Sequence, residues 1–316
     1  MTNSAPIVQT KNLQHAYKDR QVLRGLDFSV MPGEIFGLLG PNGCGKTTLM
    51  RILSTAFIPD AGEAAIGGYD VRRDCGKIRA KIGVVFQSPS LDGKLTVHEN
   101  IMHQGHLYGL WGVPLKKRAE EMLSTLGLSD RARDMVEKLS GGLKRRTELA
   151  KCLLHKPSLL ILDEPSTGLD PGARADLWQY LKTLRDREQV AMIVTTHLME
   201  EAELCDRIAI MDQGKIISTG KPEELKRAIG ADVISIKTSQ KERLAAGIKE
   251  KFHLETFAVE EALQVEHAKG AEFVAEVVKA FPDEIEAVTF RKPTLADVFL
   301  HQTGHTFWNL KGEKES

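Results

Sequence analysis

The sequence predicts an α/β fold: a mostly parallel sheet covered by helices, with an antiparallel β layer, an inserted helical subdomain and a small C-terminal α+β domain. Three observations predict it. Short continuous apolar runs such as LLILDEP and VAMIVTTH alternate with helical patterns, as in a parallel sheet buried on both faces. LDFSV (Leu26–Val30) alternates apolar and polar residues, the pattern of a half-buried antiparallel strand. Past residue 228 the order changes to strand, helix, strand, helix, strand.

Each element follows in order. IVQTKNLQHAY and EAAIGGYDV join LDFSV in the β layer. EIFGLLG, KIGVVFQ, LLILDEP, VAMIVTTH and RIAIMDQG supply the parallel strands, and TTLMRILS supplies the helix after the first of them. The segment 88–155 is mostly helical. In it Thr96 and Glu99 form a capping box. Pro114 begins a second helix, with Ala119, Met122, Leu123 and Leu126 at helical spacing. Ser140 caps the helix that opens in LSGGLKRRTELA. These elements make a first domain, 1–228. A ferredoxin-like or similar unit spans 229–305, with Val274, Val277 and Val278 in its core, and 306–316 read as a loose charged tail.

Composition narrows the class. With 316 residues, of which 42% are hydrophobic and 27% charged, the chain is globular and long enough for two domains. A net charge of zero gives no electrostatic basis for nucleic acid as a partner. Cys44, Cys75, Cys152 and Cys205 are scattered, without zinc spacing, as expected in a reducing cytoplasm. MTNSAPIVQTKN lacks the build of a signal peptide, and no apolar run approaches the roughly 20 residues of a membrane helix. His98, His103 and His106 lack the carboxylate or cysteine that would complete a metal site, so they read as exposed helix residues.

The chemistry lies in four places. GPNGCGKT, between a strand and a helix, is the glycine-rich phosphate loop of a P-loop NTPase. Its residues Gly40, Pro41, Asn42, Gly43, Cys44 and Gly45 bend backbone amides around phosphates. Lys46 would neutralise the β- and γ-phosphates, the Thr47 hydroxyl would bind Mg²⁺, and Thr48 follows in the same helix turn. LLILDEP ends an apolar strand in Asp163, a candidate Mg²⁺ ligand, and Glu164, a candidate general base. Gln87 and His197 end two further strands, where ligands of open parallel sheets bind. Gln87 suits the metal or the attacking water, and His197 the γ-phosphate. Tyr17 offers a ring for stacking on adenine, although by itself it reads more readily as a core or surface tyrosine. Finally, Ser140, Gly141 and Gly142 open a helix with bare amides and a basic turn, a second anion grip far from the first.

Together these residues resemble the ATP-binding cassette (ABC) proteins over roughly residues 5–225: GPNGCGKTT, Gln87, LSGG, LLILDEP, STGLD and His197 occur in that family's order. LSGG followed by ILDEP is far more specific than the phosphate loop alone. The resemblance implies ATP and Mg²⁺ as ligands and a head-to-tail pair of chains. In that pair Ser140, Gly141 and Gly142 hold the γ-phosphate of ATP seated on Lys46 of the other copy, and Asp170 couples the two sites. It also implies that the helical insertion meets a membrane subunit near the segment after Gln87.

PSLDGKLTVHENI, TTHLMEEAELCDRIAIMDQGKI and RKPTLADVFLHQTGH resemble the ATPase subunits of drug-resistance-type bacterial exporters. That implies ATP hydrolysis by a homodimer on the cytoplasmic face of the inner membrane. It would drive a drug or other small hydrophobic compound through a separate permease. The alternative is a non-transport ABC ATPase acting on ribosomes or DNA; the single set of motifs and the lack of heptad arms weigh against it. Leu143 departs from the family's usual Gln and is assigned no ligand role.

Overall fold

In the computed structural model, which describes residues 5–259 and 261–307, the apolar runs become the centre of a six-stranded sheet. Chain order in this part is β1 (Val8–Tyr17), β2 (Arg20–Val30), β3 (Ile35–Leu39), α1 (Lys46–Leu53), β4 (Ala61–Ile66), β5 (Tyr69–Asp70), α2 (Cys75–Arg79) and β6 (Ile82–Val85). There follow α3 (Val97–Leu107), α4 (Gly112–Thr125), α5 (Gly141–Leu153), β7 (Leu159–Asp163), α6 (Pro171–Glu188), β8 (Ala191–Thr196), α7 (Met199–Ala202), β9 (Arg207–Asp212) and β10 (Lys215–Gly220).

The large sheet has the order β10-β9-β3-β8-β7-β6, and β9, β3, β8, β7 and β6 pair parallel. Every residue of β3, β7 and β8 is buried, which is why these strands read as unbroken apolar runs. Because β3, β8, β7 and β6 are consecutive neighbours and parallel, their C-terminal ends line one edge. The antiparallel layer has the order β2-β1-β4-β5. Its inward residues Val8, Leu13, Leu26 and Val30 share a core with Leu49, Met50 and Leu53 of α1 and with Ile161 and Ile193 of the large sheet.

The helical insertion forms as its caps direct. The Thr96 hydroxyl accepts the Glu99 N–H, and the Glu99 carboxylate accepts the Thr96 N–H at 2.8 Å. Ala119, Met122, Leu123 and Leu126 are all buried. Helix α4 begins two residues before Pro114. Gly112 has φ 62°, and the ring sits in the first turn, where an N–H has no intrahelical partner to lose.

The chain divides into two units at 219/220, and the second carries α8 (Pro222–Ala228), β11 (Asp232–Lys237), α9 (Lys241–Phe252), β12 (Phe257–Val259), β13 (Ala262–His267), α10 (Gly270–Ala280), β14 (Ala287–Arg291) and α11 (Leu295–Thr303). Its sheet is antiparallel with the order β12-β13-β11-β14. The βαββαβ order of β11 to β14 with α9 and α10 is the ferredoxin-like arrangement. Leu244, Ile248, Phe273 and Val277 of the two helices close the core over Ile234, Ile236, Leu263 and Val265.

Three expectations are corrected here. Helix α8 belongs to the second unit rather than to a first domain ending at 228, because it packs against α11. Val277 is fully buried and Val274 partly so, but Val278 lies on the outward side of α10 and is 42% exposed. Residues 308–316 of the proposed tail lie outside the described residues; Phe307 is buried against Phe299, ring centroids 4.9 Å apart, so that segment begins as core.

Candidate functional site

The loop 40–45 leaves the end of β3 and turns into α1. Gly45 takes φ 110°, and a side chain there would come 2.8 Å from Leu23 Cδ2. Gly40 packs so closely under β9 that a Cβ would meet the Met211 carbonyl oxygen at 2.6 Å. Lys46 is 5% exposed, and its ammonium donates to the carbonyls of Gly40 at 2.7 Å and Pro41 at 3.1 Å. The Cys44 side chain turns into the core, where burial pushes its thiol up, partly offset by the Lys46 charge, so it stays protonated. Pro41 is buried as well, so these two residues offer a ligand only their backbone. Asn42, Gly43, Gly45, Lys46, Thr47 and Thr48 line a cleft of about 650 Å³.

The ends of β6, β7 and β8 bring Gln87, Glu164 and His197 to the same cleft. Glu164 Oε2 accepts Gln87 Nε2 and Thr167 Oγ1, each at 3.2 Å. Glu164 Oε1 lies 3.3 Å from His197 Nδ1 and 3.9 Å from Lys46 Nζ. The carboxylate is thus aimed at the phosphate loop by groups from three other elements. Asp163 is 1% exposed; Oδ1 accepts Thr195 Oγ1 at 2.6 Å, while Oδ2 has no hydrogen-bond partner among the described residues. A buried carboxylate oxygen left bare is costly unless a cation satisfies it, so Asp163 fits a metal ligand beside the phosphates. Tyr17 also lines the cleft, 40% exposed, with its hydroxyl 3.3 Å from Thr48 Oγ1 and its ring edge-on to His15 and Phe57.

Ser140, Gly141, Gly142 and Asp170 do not join this cleft. Ser140 caps α5, its hydroxyl accepting the Leu143 N–H at 3.4 Å, and Ser140 and Gly141 are exposed. Asp170 caps α6, accepting the Ala173 N–H at 3.0 Å, and is likewise exposed. The two helix starts adjoin each other: a Cβ on Gly142 would lie 3.2 Å from Ala173 Cβ, and one on Gly141 3.6 Å from the Gly168 carbonyl. The start of α5 therefore lies apart from the cleft that Lys46 lines.

Sequence reasoning missed the residues that hold this site in place. Thr195 accepts the Glu164 N–H at 2.8 Å while donating to Asp163, and Asp163 and Thr195 are register partners in β7 and β8. Thr167 and Arg145 were missed as well. The available signal was position alone: Thr195 lies two residues before His197 on a fully buried strand, where a polar residue needs a partner. A larger recess of about 810 Å³ lies in the second unit, but Lys237 pairs with Glu261 there at 3.5 Å and Arg243 with Glu284 at 3.2 Å, and no catalytic arrangement among the described residues converges on it.

Comparison with known proteins gives the family. Residues 23–167 match the family model described as ABC transporter. The chain is 38% identical to the linearmycin resistance ATP-binding protein LnrL of Bacillus subtilis, over 95% of this chain and 99% of that one. It is also 38% identical to the daunorubicin resistance ATP-binding protein DrrA3 of Streptomyces coeruleorubidus, over 91% and 93%. Among solved structures, cbiO1 from Clostridium perfringens, part of the ABC transporter complex cbiONQ, superposes with a TM-score of 0.66 at 26% identity, covering 79% of this chain and 97% of that one. The chain belongs to the ABC transporter family, as one of its ATP-binding, ATP-hydrolysing subunits.

Proposed function

We propose that this chain powers an exporter: it binds ATP, pairs with a second copy, hydrolyses the nucleotide and so drives a drug or other small hydrophobic compound through a separate permease. The placement follows from that role, at the cytoplasmic face of the inner membrane. No described helix is long and apolar enough to cross a membrane. The names of LnrL and DrrA3, both drug-resistance ATP-binding proteins, support the substrate class.

One observation carries the mechanism. The cleft gathers Lys46, Gln87, Glu164 and His197, whereas the equally anion-receptive start of α5 is exposed and outside it. In the proposed dimer the loop 40–48 of one chain holds the phosphates, Lys46 turning from its two carbonyls to the β- and γ-oxygens. Ser140, Gly141 and Gly142 of the other chain close on the γ-phosphate with a helix N-terminus. Thr47, Gln87 and Asp163 would hold Mg²⁺, which neutralises phosphate charge. Glu164 takes the proton of the attacking water as general base, His197 donates to the γ-phosphate, and Tyr17 stacks on adenine. Asp170, at the start of α6 beside the α5 cap, lies at the joint and links one site to the other. Loss of the γ-phosphate removes the shared ligand, and the pair reopens.

Glu164→Gln tests this reading. Its amide oxygen can still accept from Gln87 and Thr167 with the base removed, so ATP still binds while kcat falls about 100-fold or more. Sizing chromatography with ATP and Mg²⁺ then gives a stable dimer. Native turnover by this variant removes Glu164 from the role of base, and a monomer under those conditions contradicts pairing on ATP.

A further inference from the structure

We propose that Arg145 is a positioning residue that fixes Gln87 and Glu164 against each other and ties both to the helix bearing Ser140, Gly141 and Gly142. The inference rests on the reading of Glu164 as general base given above.

Phe86 stands one residue past the end of β6 and Glu164 one residue past the end of β7. The two strands are parallel neighbours, with Val85 opposite Leu162, so these two carbonyls lie at adjacent strand ends one residue apart in register. Arg145, 5% exposed on α5, bridges them: Nη1 donates to the Phe86 carbonyl at 2.9 Å and Nη2 to the Glu164 carbonyl at 3.3 Å. A planar fork reaches two acceptors from two separate nitrogens in a rigid geometry, whereas an ammonium has one nitrogen with rotatable donors. The side chains these carbonyls carry or precede are the ones that meet, Gln87 Nε2 donating to Glu164 Oε2. Glu164 also has φ 46°, a left-handed backbone that the surroundings must hold.

The fork is itself fixed. Nη1 also donates to Glu148 Oε2 at 2.9 Å, and Glu148, 3% exposed, accepts the Ser90 N–H on its other oxygen at 2.7 Å. One turn further along α5, Lys151 Nζ donates to the Ser90 carbonyl at 2.6 Å. Arg145, Glu148 and Lys151 recur every three residues and clamp the chain on either side of Gln87 to α5. Any displacement of α5 as its N-terminus closes on a partner's nucleotide is thereby carried to the catalytic pair of its own chain. Arg145 need not touch the nucleotide to set the rate.

The test is steady-state ATP hydrolysis by Arg145→Lys at a temperature well below its measured melting point. The charge opposite Glu148 is kept and the fork is lost. The expected result is a kcat lowered about 10- to 100-fold with KM for ATP within about two-fold of native, the pattern of a displaced catalytic group. A lower melting temperature with native kcat would show that Arg145 only packs, and would overturn the proposal. If the lysine variant does not fold, Arg145→Met with Glu148→Met removes both buried charges together; lost kcat with retained ATP binding supports the proposal, and native kcat overturns it. Glu164→Gln run alongside separates the two ideas. Normal turnover by that variant sinks the reading of the site, whereas its inactivity beside a fully active Arg145→Lys sinks this inference alone.

Discussion

Glu164 occupies a left-handed backbone conformation that costs a non-glycine residue about 1–3 kcal/mol. Its neighbours offset that cost by holding both of its backbone polar groups, the N–H on Thr195 and the carbonyl on Arg145. Thr195 serves twice, since the same hydroxyl fixes Asp163 Oδ1, the other oxygen having no hydrogen-bond partner among the described residues. Thr195→Val keeps the shape and deletes the hydroxyl, stranding a buried N–H and a buried carboxylate oxygen. It is expected to destabilise the first unit by about 1–3 kcal/mol in urea unfolding and to lower ATP turnover about 10-fold or more. A valine variant of native stability and rate would show that the threonine does not hold the pair.

At the scale of elements, the caps decide where helices start, and one of them titrates. The Asp297 carboxylate accepts the Thr294 N–H and hydroxyl, each at 2.7 Å, and the Arg291 Nη2 at 2.9 Å, closing the start of α11. Burial pushes this carboxyl up, but the Arg291 and Thr294 hydrogen bonds outweigh burial and leave it below the ordinary aspartate value. A group depressed on folding stabilises the fold above its unfolded pKa and loses that contribution as pH falls through the lower folded value. Asp297→Asn is therefore expected to weaken protection of α11 amides in hydrogen exchange at neutral pH. The cost is about 1 kcal/mol once screening of the Arg291 side chain, 42% exposed, is allowed for. The gap between variant and native protein should close only below about pH 4. An equal gap at neutral and acidic pH would contradict the assignment.

The same scale explains what the sequence made legible. LLILD and AMIVTT announced β7 and β8 because both faces are buried, and GPNGCGKT could be placed because strand and helix flank it. Strand β10 was missed because Ile216 and Ile217 are adjacent, which removes the period of two, and β12 because three residues are too few for any period. Asp163, Glu164 and His197 stood out by type and strand end, and Lys46 by its place after the glycine-rich loop. Arg145 did not, since its meaning comes from two carbonyls 59 and 19 residues away in sequence, which only the register of β6 and β7 brings together.

For the whole molecule, the central claim is that one ATP is held by two chains. Lys46, Gln87, Glu164 and His197 line one cleft, and the capped, exposed start of α5 stands outside it. Both become parts of one site only if copies pair head to tail. The most direct measurement is a crystal or cryo-microscopy structure of Glu164→Gln with ATP and Mg²⁺. The account predicts a dimer in which each γ-phosphate accepts hydrogen bonds from Lys46 of one copy and from the Ser140–Gly142 turn of the other. ATP bound within a single chain, with that turn facing solvent, would contradict it.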